Sequence, residues 1–341
     1  MSALLIIIVL ILAGVAIGQA VRIFEISNSL KGKDVNEITD DDNKRQGWYM
    51  LLFMIGMFVT FIWMSASYWE VMLPKAASVH GTEVDNLMAI SMIVITAMFF
   101  VTQPLLFYFA FKYKGKKSNR ATFVSHNDKL ELLWTGVPAV VLAGLILYGL
   151  STWNSTMFRP EDEEPMIVEI YAKQFGWNAR YSGSDNQLGY ANVRNIKGIN
   201  TLGVDDTDGA SLDDVVTTEL HLPVGKPVMF RFRAQDVIHS AFMPHFRVQM
   251  NCVPGAVTQF AVTPDVTTVE MRKEKDVIAK TATINAIRLA KGEELYEFEY
   301  VLLCNKICGS AHYNMQMKIV IESQEEFDNW MSSQKTFAET L

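Results

Sequence analysis

Four stretches of this chain, residues 3–20, 48–69, 87–111 and 132–150, are almost continuously apolar, and no other feature limits its fold so tightly. Each is close to the ~20 residues a helix needs to cross ~30 Å of hydrocarbon. Half of the residues are hydrophobic and only a fifth are charged, which is more apolar than ordinary soluble chains. The first run has no basic residue before it and no clear small-residue cleavage site after it. It is therefore expected to be a retained helix and not a signal peptide.

The loops between the runs set an orientation. Residues 22–46 carry Arg22, Lys31, Lys33, Lys44 and Arg45, and residues 112–129 carry Lys112, Lys114, Lys116, Lys117, Arg120 and Lys129. The loop between them, residues 70–86, carries only Lys75. Basic loops stay in the cytoplasm. The N-terminus and everything after residue 150 are then expected outside. Met50, Met54, Met57 and Met64 lie in the second run as adaptable apolar packing, not as metal ligands.

After residue 165 the pattern changes to short strands bounded by Pro and Gly, expected over 166–171, 219–222, 227–232, 259–262, 296–303 and 316–321. Such spacing suggests a small Greek-key β-barrel. Two stretches interrupt it: an acidic, turn-like segment at 205–214 and a helical one at 268–291. Both are expected to project from the barrel as solvated insertions. Ser323 and Glu326 have capping-box spacing, so a short helix is expected to close the chain. The expected organisation is membrane helices over 1–24, 47–71, 87–112 and 130–152, a barrel over 165–322 and a helical tail over 323–341. The net charge of −7 and the lack of a basic patch with interleaved aromatics argue against nucleic acid.

One loop carries chemistry. Cys304, Cys308, His312 and Met315 fall within twelve residues. Thiolates with a thioether form a soft donor set that selects copper, and Met315 weighs against structural zinc. A mononuclear blue-copper site uses one cysteine. Two cysteines can bridge two copper ions that share one electron. A second histidine must come from elsewhere. Of the six histidines in the chain, His239 follows the strand expected to end near Arg233, and His245 is its rival. His80 and His126 lie in the wrong loops, and His221 lies within a strand. The third cysteine, Cys252, reads as a buried, inert thiol.

These residues resemble subunit II of the haem–copper cytochrome c oxidases. The likeness runs over residues 87–322. It includes Leu130-Glu131-Leu132-Leu133-Trp134-Thr135-Gly136-Val137-Pro138, Asp236-Val237-Ile238-His239-Ser240, Val253-Pro254-Gly255 and the copper loop. The resemblance implies four membrane helices followed by a cupredoxin-like Greek-key barrel. It also implies a dinuclear copper centre held by His239, Cys304, the Lys306 carbonyl, Cys308, His312 and Met315. The implied partners are a haem–copper catalytic subunit, other oxidase subunits, the lipid of a bacterial inner membrane, and a cytochrome c or cytochrome c domain as donor. Glu131 matches a carboxylate at the mouth of a proton channel.

The chain departs from the pattern in three places. Lys306 stands where the family has a magnesium-binding glutamate, and Asn251 where it has aspartate, so no magnesium ligand is expected from this chain. Phe175, in Gln174-Phe175-Gly176-Trp177, takes the position of the tryptophan at which electrons enter, and Trp177 is expected in the core. Two helices precede the family's usual pair. A quinol oxidase subunit lacks the copper ligands, so the intact loop argues against it; a copper chaperone favours labile Met- or His-rich sites, and copper stoichiometry separates it from an oxidase subunit. The helices and the Glu131 segment point away from nitrous oxide reductase.

Overall fold

The computed structural model describes residues 2–30, 38–157 and 164–341. Lys31 and Lys33 of the first basic loop lie outside the described residues. Among the described residues, four helices are long and apolar enough to cross a membrane: α1 (Ser2–Leu30), α2 (Asp40–Tyr68), α3 (Val79–Lys112) and α4 (Asp128–Met157). Each runs past its apolar stretch, because polar flanks continue the helix at the surface. α2 shows how. Thr39 and Asp42 exchange hydrogen bonds, Asp42 N to Thr39 Oγ1 at 3.2 Å and Thr39 N to Asp42 Oδ2 at 3.1 Å. Three aspartates in its first turn also suit the positive end of the helix.

The chain divides into two compact units, residues 1–67 with 95–128, and residues 68–94 with 129–341. In the first, rings bind α2 to the later turns of α3: Trp48 meets Phe111 edge-on at 5.0 Å, and Phe58 stacks on Phe100 at 4.9 Å.

The second unit contains the barrel. Its ten strands are β1 (Met166–Lys173), β2 (Gly176–Tyr181), β3 (Val215–Thr217), β4 (Leu220–Pro223), β5 (Val228–Ala234), β6 (His239–Met243), β7 (Val248–Cys252), β8 (Thr258–Val262), β9 (Tyr300–Cys304) and β10 (Gln316–Glu322). They form two five-stranded sheets, in the orders β3-β2-β1-β5-β8 and β4-β10-β9-β6-β7. β1 runs parallel to β5 and β4 parallel to β10, while the other pairings are antiparallel. Alternation along β5 places Val228, Phe230 and Phe232 in the core with no exposed surface. Truncating either Phe to Ala removes about 3–5 kcal/mol.

The first turns of α3 belong to this unit and are clamped to the barrel. Arg247 donates from Nε to Asp85 Oδ1 at 2.7 Å and from Nη2 to Asp85 Oδ2 at 2.9 Å, and it also reaches the Pro74 carbonyl. Ser78, fully buried, donates to the Phe246 carbonyl at 2.9 Å. His80 is buried beside the Phe260 ring at the start of α3 and not in an open loop.

Three expectations need correction. The acidic segment at 205–214 does not project. Asp214 and Ser211 are fully buried, because the segment covers the outer face of β1 and β2 and supplies Asp214 to Arg180. The stretch at 268–291 is helical as expected, in two helices, α5 (Thr268–Met271) and α6 (Lys275–Lys291), and α6 is largely exposed, but α5 does not project. Thr267 and Glu270 box α5 at its start, and α5 docks on β10, whose Ile321 N donates to Thr268 Oγ1 at 2.8 Å. Finally, β9 begins at Tyr300, not 296: the Tyr296 backbone is taken by the Asn285 side chain of α6, at 2.7 and 3.0 Å. The chain closes with α7 (Gln324–Ser332), whose Ser323–Glu326 capping box is formed.

Candidate metal centre

β6 and β9 pair antiparallel with Ala241 opposite Cys304, so the start of β6 lies beside the loop that follows β9. His239 opens β6, and Cys304 closes β9. The loop returns to β10 through a turn in which His312 N donates to Gly309 O and Met315 N donates to His312 O. It is pinned at its ends by Asn305 N donating to Ser240 O at 2.9 Å and Cys304 N donating to Met315 O at 3.1 Å.

This brings the soft donors together. Cys304 Sγ lies 3.9 Å from Cys308 Sγ and 3.8 Å from His239 Nδ1. Cys308 Sγ lies 3.7 Å from both His312 Nδ1 and Met315 Sδ. The ligand atoms of His239, Cys304 and Cys308 all fall within 4.8 Å of one another. His239, Cys308 and Met315 are buried. The Cys304 thiol also reaches the Lys306 carbonyl at 3.2 Å, while the Lys306 side chain is exposed. His245 is elsewhere: it packs edge-on against Phe298 and Tyr300, and burial, helped by Arg247, pulls its pKa down to about 4.

His239 is oriented from behind. Its Nε2 lies 2.8 Å from Asp236 Oδ1, which leaves Nδ1 facing the thiols. Asp236 also accepts from Gln174 N and Val237 N, each at 2.7 Å. Partial burial opposes its charge, but the bonds from His239, Gln174 and Val237 outweigh that and hold its carboxyl below the usual range. Burial first, and the neighbouring Cys304 second, push the Cys308 thiol up to about 11. A metal seated here must therefore displace a proton. Cys252, opposite His239 in the β6–β7 register, is buried, and its thiol is pushed up to about 12 by that burial.

The donor set fits copper: two thiols, two imidazole nitrogens, a thioether and a carbonyl converge. Contacts beyond the expected ligands complete the site, and Trp177 is buried as expected. Gln174 Nε2 donates to the Cys308 carbonyl, Trp177 Nε1 lies 3.5 Å from the Met315 carbonyl, and Phe175, part-exposed, lies over Gly309. Gly309 has φ +147°, and a Cβ there would come within 2.7 Å of the Phe175 ring, so glycine is required. Only the Asp236-to-His239 spacing could have marked Asp236 as a partner. Glu131 is exposed in the first turn of α4, and Asn251 is exposed on β7.

Comparison with known proteins decides the family. Residues 66–152 match the transmembrane domain of cytochrome c oxidase subunit II, and residues 166–291 match its periplasmic domain. The alternative cytochrome c oxidase subunit 2 of Bradyrhizobium diazoefficiens is 33% identical over 244 residues, covering 70% of this chain and 76% of that protein. The chain belongs to the cytochrome c oxidase subunit II family. Another subunit II relative, from Thermostichus vulcanus, is 23% identical and covers 83% of this chain and 84% of its own length. The solved periplasmic domain of subunit II from Bradyrhizobium japonicum covers 49% of this chain and 91% of that one at 19% identity, with a TM-score of 0.30. The family assignment rests on the sequence matches and not on that superposition. As a subunit II, this is a membrane protein with a periplasmic domain and the electron-accepting part of an oxidoreductase complex. The Cys304–Met315 loop lies beyond the matched stretch that ends at residue 291.

Proposed function

We propose that the cluster holds a dinuclear copper centre through His239, Cys304, the Lys306 carbonyl, Cys308, His312 and Met315, and that electrons from cytochrome c pass here on their way to haem in a catalytic partner that reduces oxygen to water. The observation that carries this reading is the mutual approach of two thiols, an imidazole and a thioether at 3.7–3.9 Å. When bound, the copper pair supplies a one-electron store shared between two ions. The chain's own residues hold the donors in place before metal arrives: β6 and β9 fix two of them by register, and Asp236 fixes the imidazole tautomer. A site that is already shaped changes little when its charge changes.

Phe175, exposed over Gly309, offers an aromatic surface where the donor's electron enters. Glu131, in the first turn of α4, serves at the mouth of a proton channel in the partner. No side chain of this subunit is expected to ligate magnesium, since Lys306 puts an ammonium where a carboxylate would bind and Asn251 offers only a neutral amide oxygen. α1–α4 span the bacterial inner membrane, with α1 and α2 additional to the family's usual pair, and the barrel of residues 165–322 with its tail of 323–341 stands in the periplasm.

The test is elemental analysis of the purified complex together with cytochrome c oxidation. The expected result is two coppers per chain beyond those of the partner, with both copper and oxidation abolished by Cys308→Ser. Oxidation surviving in the variant sinks the reading.

A further inference from the structure

The turn between β1 and β2 touches every segment that carries a metal ligand, although it belongs to the other sheet. Gln174 N donates to Asp236 Oδ2 at 2.7 Å, and Asp236 holds His239. Gln174 Nε2 donates to the Cys308 carbonyl. Phe175 fills the space over Gly309, the residue after Cys308. Two positions on, Trp177 is buried, with Nε1 3.5 Å from the Met315 carbonyl and its ring edge-on to His239 at 6.1 Å and 64°. That same Met315 carbonyl accepts from Cys304 N. One short turn thus contacts the groups behind His239, Cys304, Cys308 and Met315.

We infer that residues 174–177 are a brace that sets the shape of the copper loop, with Gln174 and Trp177 as positioning residues. The inference rests on the copper reading above. The physical case is one of constraint. Bonds inside the loop's own sheet secure its two ends and one turn, and leave the Cys308 carbonyl and the face of His239 to be fixed from outside. Two directional bonds and two ring contacts from a β-hairpin do this, and sites carried by a rigid strand pair are held more closely than sites on loops alone. Ordinary core packing would account for a buried indole at Trp177. It does not account for an exposed Gln174 whose side chain donates to a ligand's carbonyl while its backbone N–H donates to the carboxylate behind another ligand.

The test uses the intact, copper-loaded complex. Gln174→Ala removes the side-chain bond at an exposed position, and Trp177→Phe keeps a ring but removes the N–H. The readouts are the visible and paramagnetic spectrum of the centre, its midpoint potential, and the rate of copper loss to a chelator. Both variants are expected to alter the spectrum and potential and to lose copper on the order of 10-fold faster, with KM for cytochrome c unchanged. Phe175→Ala removes one of the two ring contacts and is expected to change donor kinetics, with a smaller change in the spectrum than Gln174→Ala or Trp177→Phe gives. If Trp177→Phe does not fold, Gln174→Ala decides alone. Variants that bind two coppers with wild-type spectrum, potential and retention overturn the brace while leaving the copper reading intact. A wild-type chain that binds no copper overturns both.

Discussion

The network of Glu169, Arg180, Asp214 and Arg233 on the outer face of one sheet and the thiol–imidazole cluster at the end of the other are both buried and polar, yet they resolve that burial differently. The network closes on itself. Arg180 lies 3.2 Å from Glu169 and 3.1 Å from Asp214, and Arg233 donates twice to Glu169, at 2.7 and 2.9 Å. Two guanidinium groups meet two carboxylates, so most of the hard charge is paired, with only Arg180 Nε and Asp214 Oδ1 left without a hydrogen-bond partner. The thiol cluster has no such closure. Its soft atoms face each other at distances too long for strong hydrogen bonds and suited to a metal placed among them. A polar cluster that balances its own charge holds a covering segment in place; one that leaves donors converging is built for something added.

Three changes break or sharpen this contrast. Arg180→Met has the largest expected effect, since it leaves Asp214 buried without its cation. Stability should fall by about 3–5 kcal/mol, read as lost amide-exchange protection across β1, β2 and residues 189–214, while copper still binds any chain that folds. Copper lost before the segment loosens would show the two clusters to be one. Asp236→Ala acts on the other side. It frees the His239 imidazole, and copper affinity should drop by roughly 10–100-fold with little change in thermal stability. A melting point that collapses while affinity holds would make Asp236 structural only.

The smallest effect is on pH dependence. Burial pushes Asp214 up to about 7, because it outweighs the half share of Arg180 and the bond from Gly189 N. Its Oδ1 has no hydrogen-bond partner, which fits. A carboxyl raised in the folded state binds its proton more tightly there than in the unfolded chain. Its contribution is therefore complete below pH 3.8 and is lost as pH rises toward about 7. Glu169 is opposite: burial disfavours its charge, but Arg180 and Arg233 hold it below 4.5, so its contribution is lost on acidification. The wild type should thus melt higher at pH 5 than at pH 8 by on the order of 1–2 kcal/mol more than Asp214→Asn does. An equal pH response in the two proteins would place Asp214 among ordinary ionised aspartates.

Much of this was legible in the sequence, for physical reasons that also mark where legibility stopped. The helices follow from hydrophobic length, and the copper loop follows from donor chemistry packed into twelve residues, since neither depends on distant parts of the chain. β5 shows its alternation plainly. β1 does not, because Glu169 and Tyr171 face a covering segment and not water, and the acidic run at 205–214 reads as solvated until Arg180 is known to lie beneath it. The roles of Gln174 and Trp177 depend on contact between two sheets, which no local pattern encodes.

The central claim is that Cys304 and Cys308, with the donors around them, would together hold two copper ions. Electron paramagnetic resonance of the oxidised complex tests it most directly. The account predicts an unpaired electron coupled equally to two copper nuclei. A signal coupled to a single copper nucleus, or no copper signal from this subunit, would contradict it.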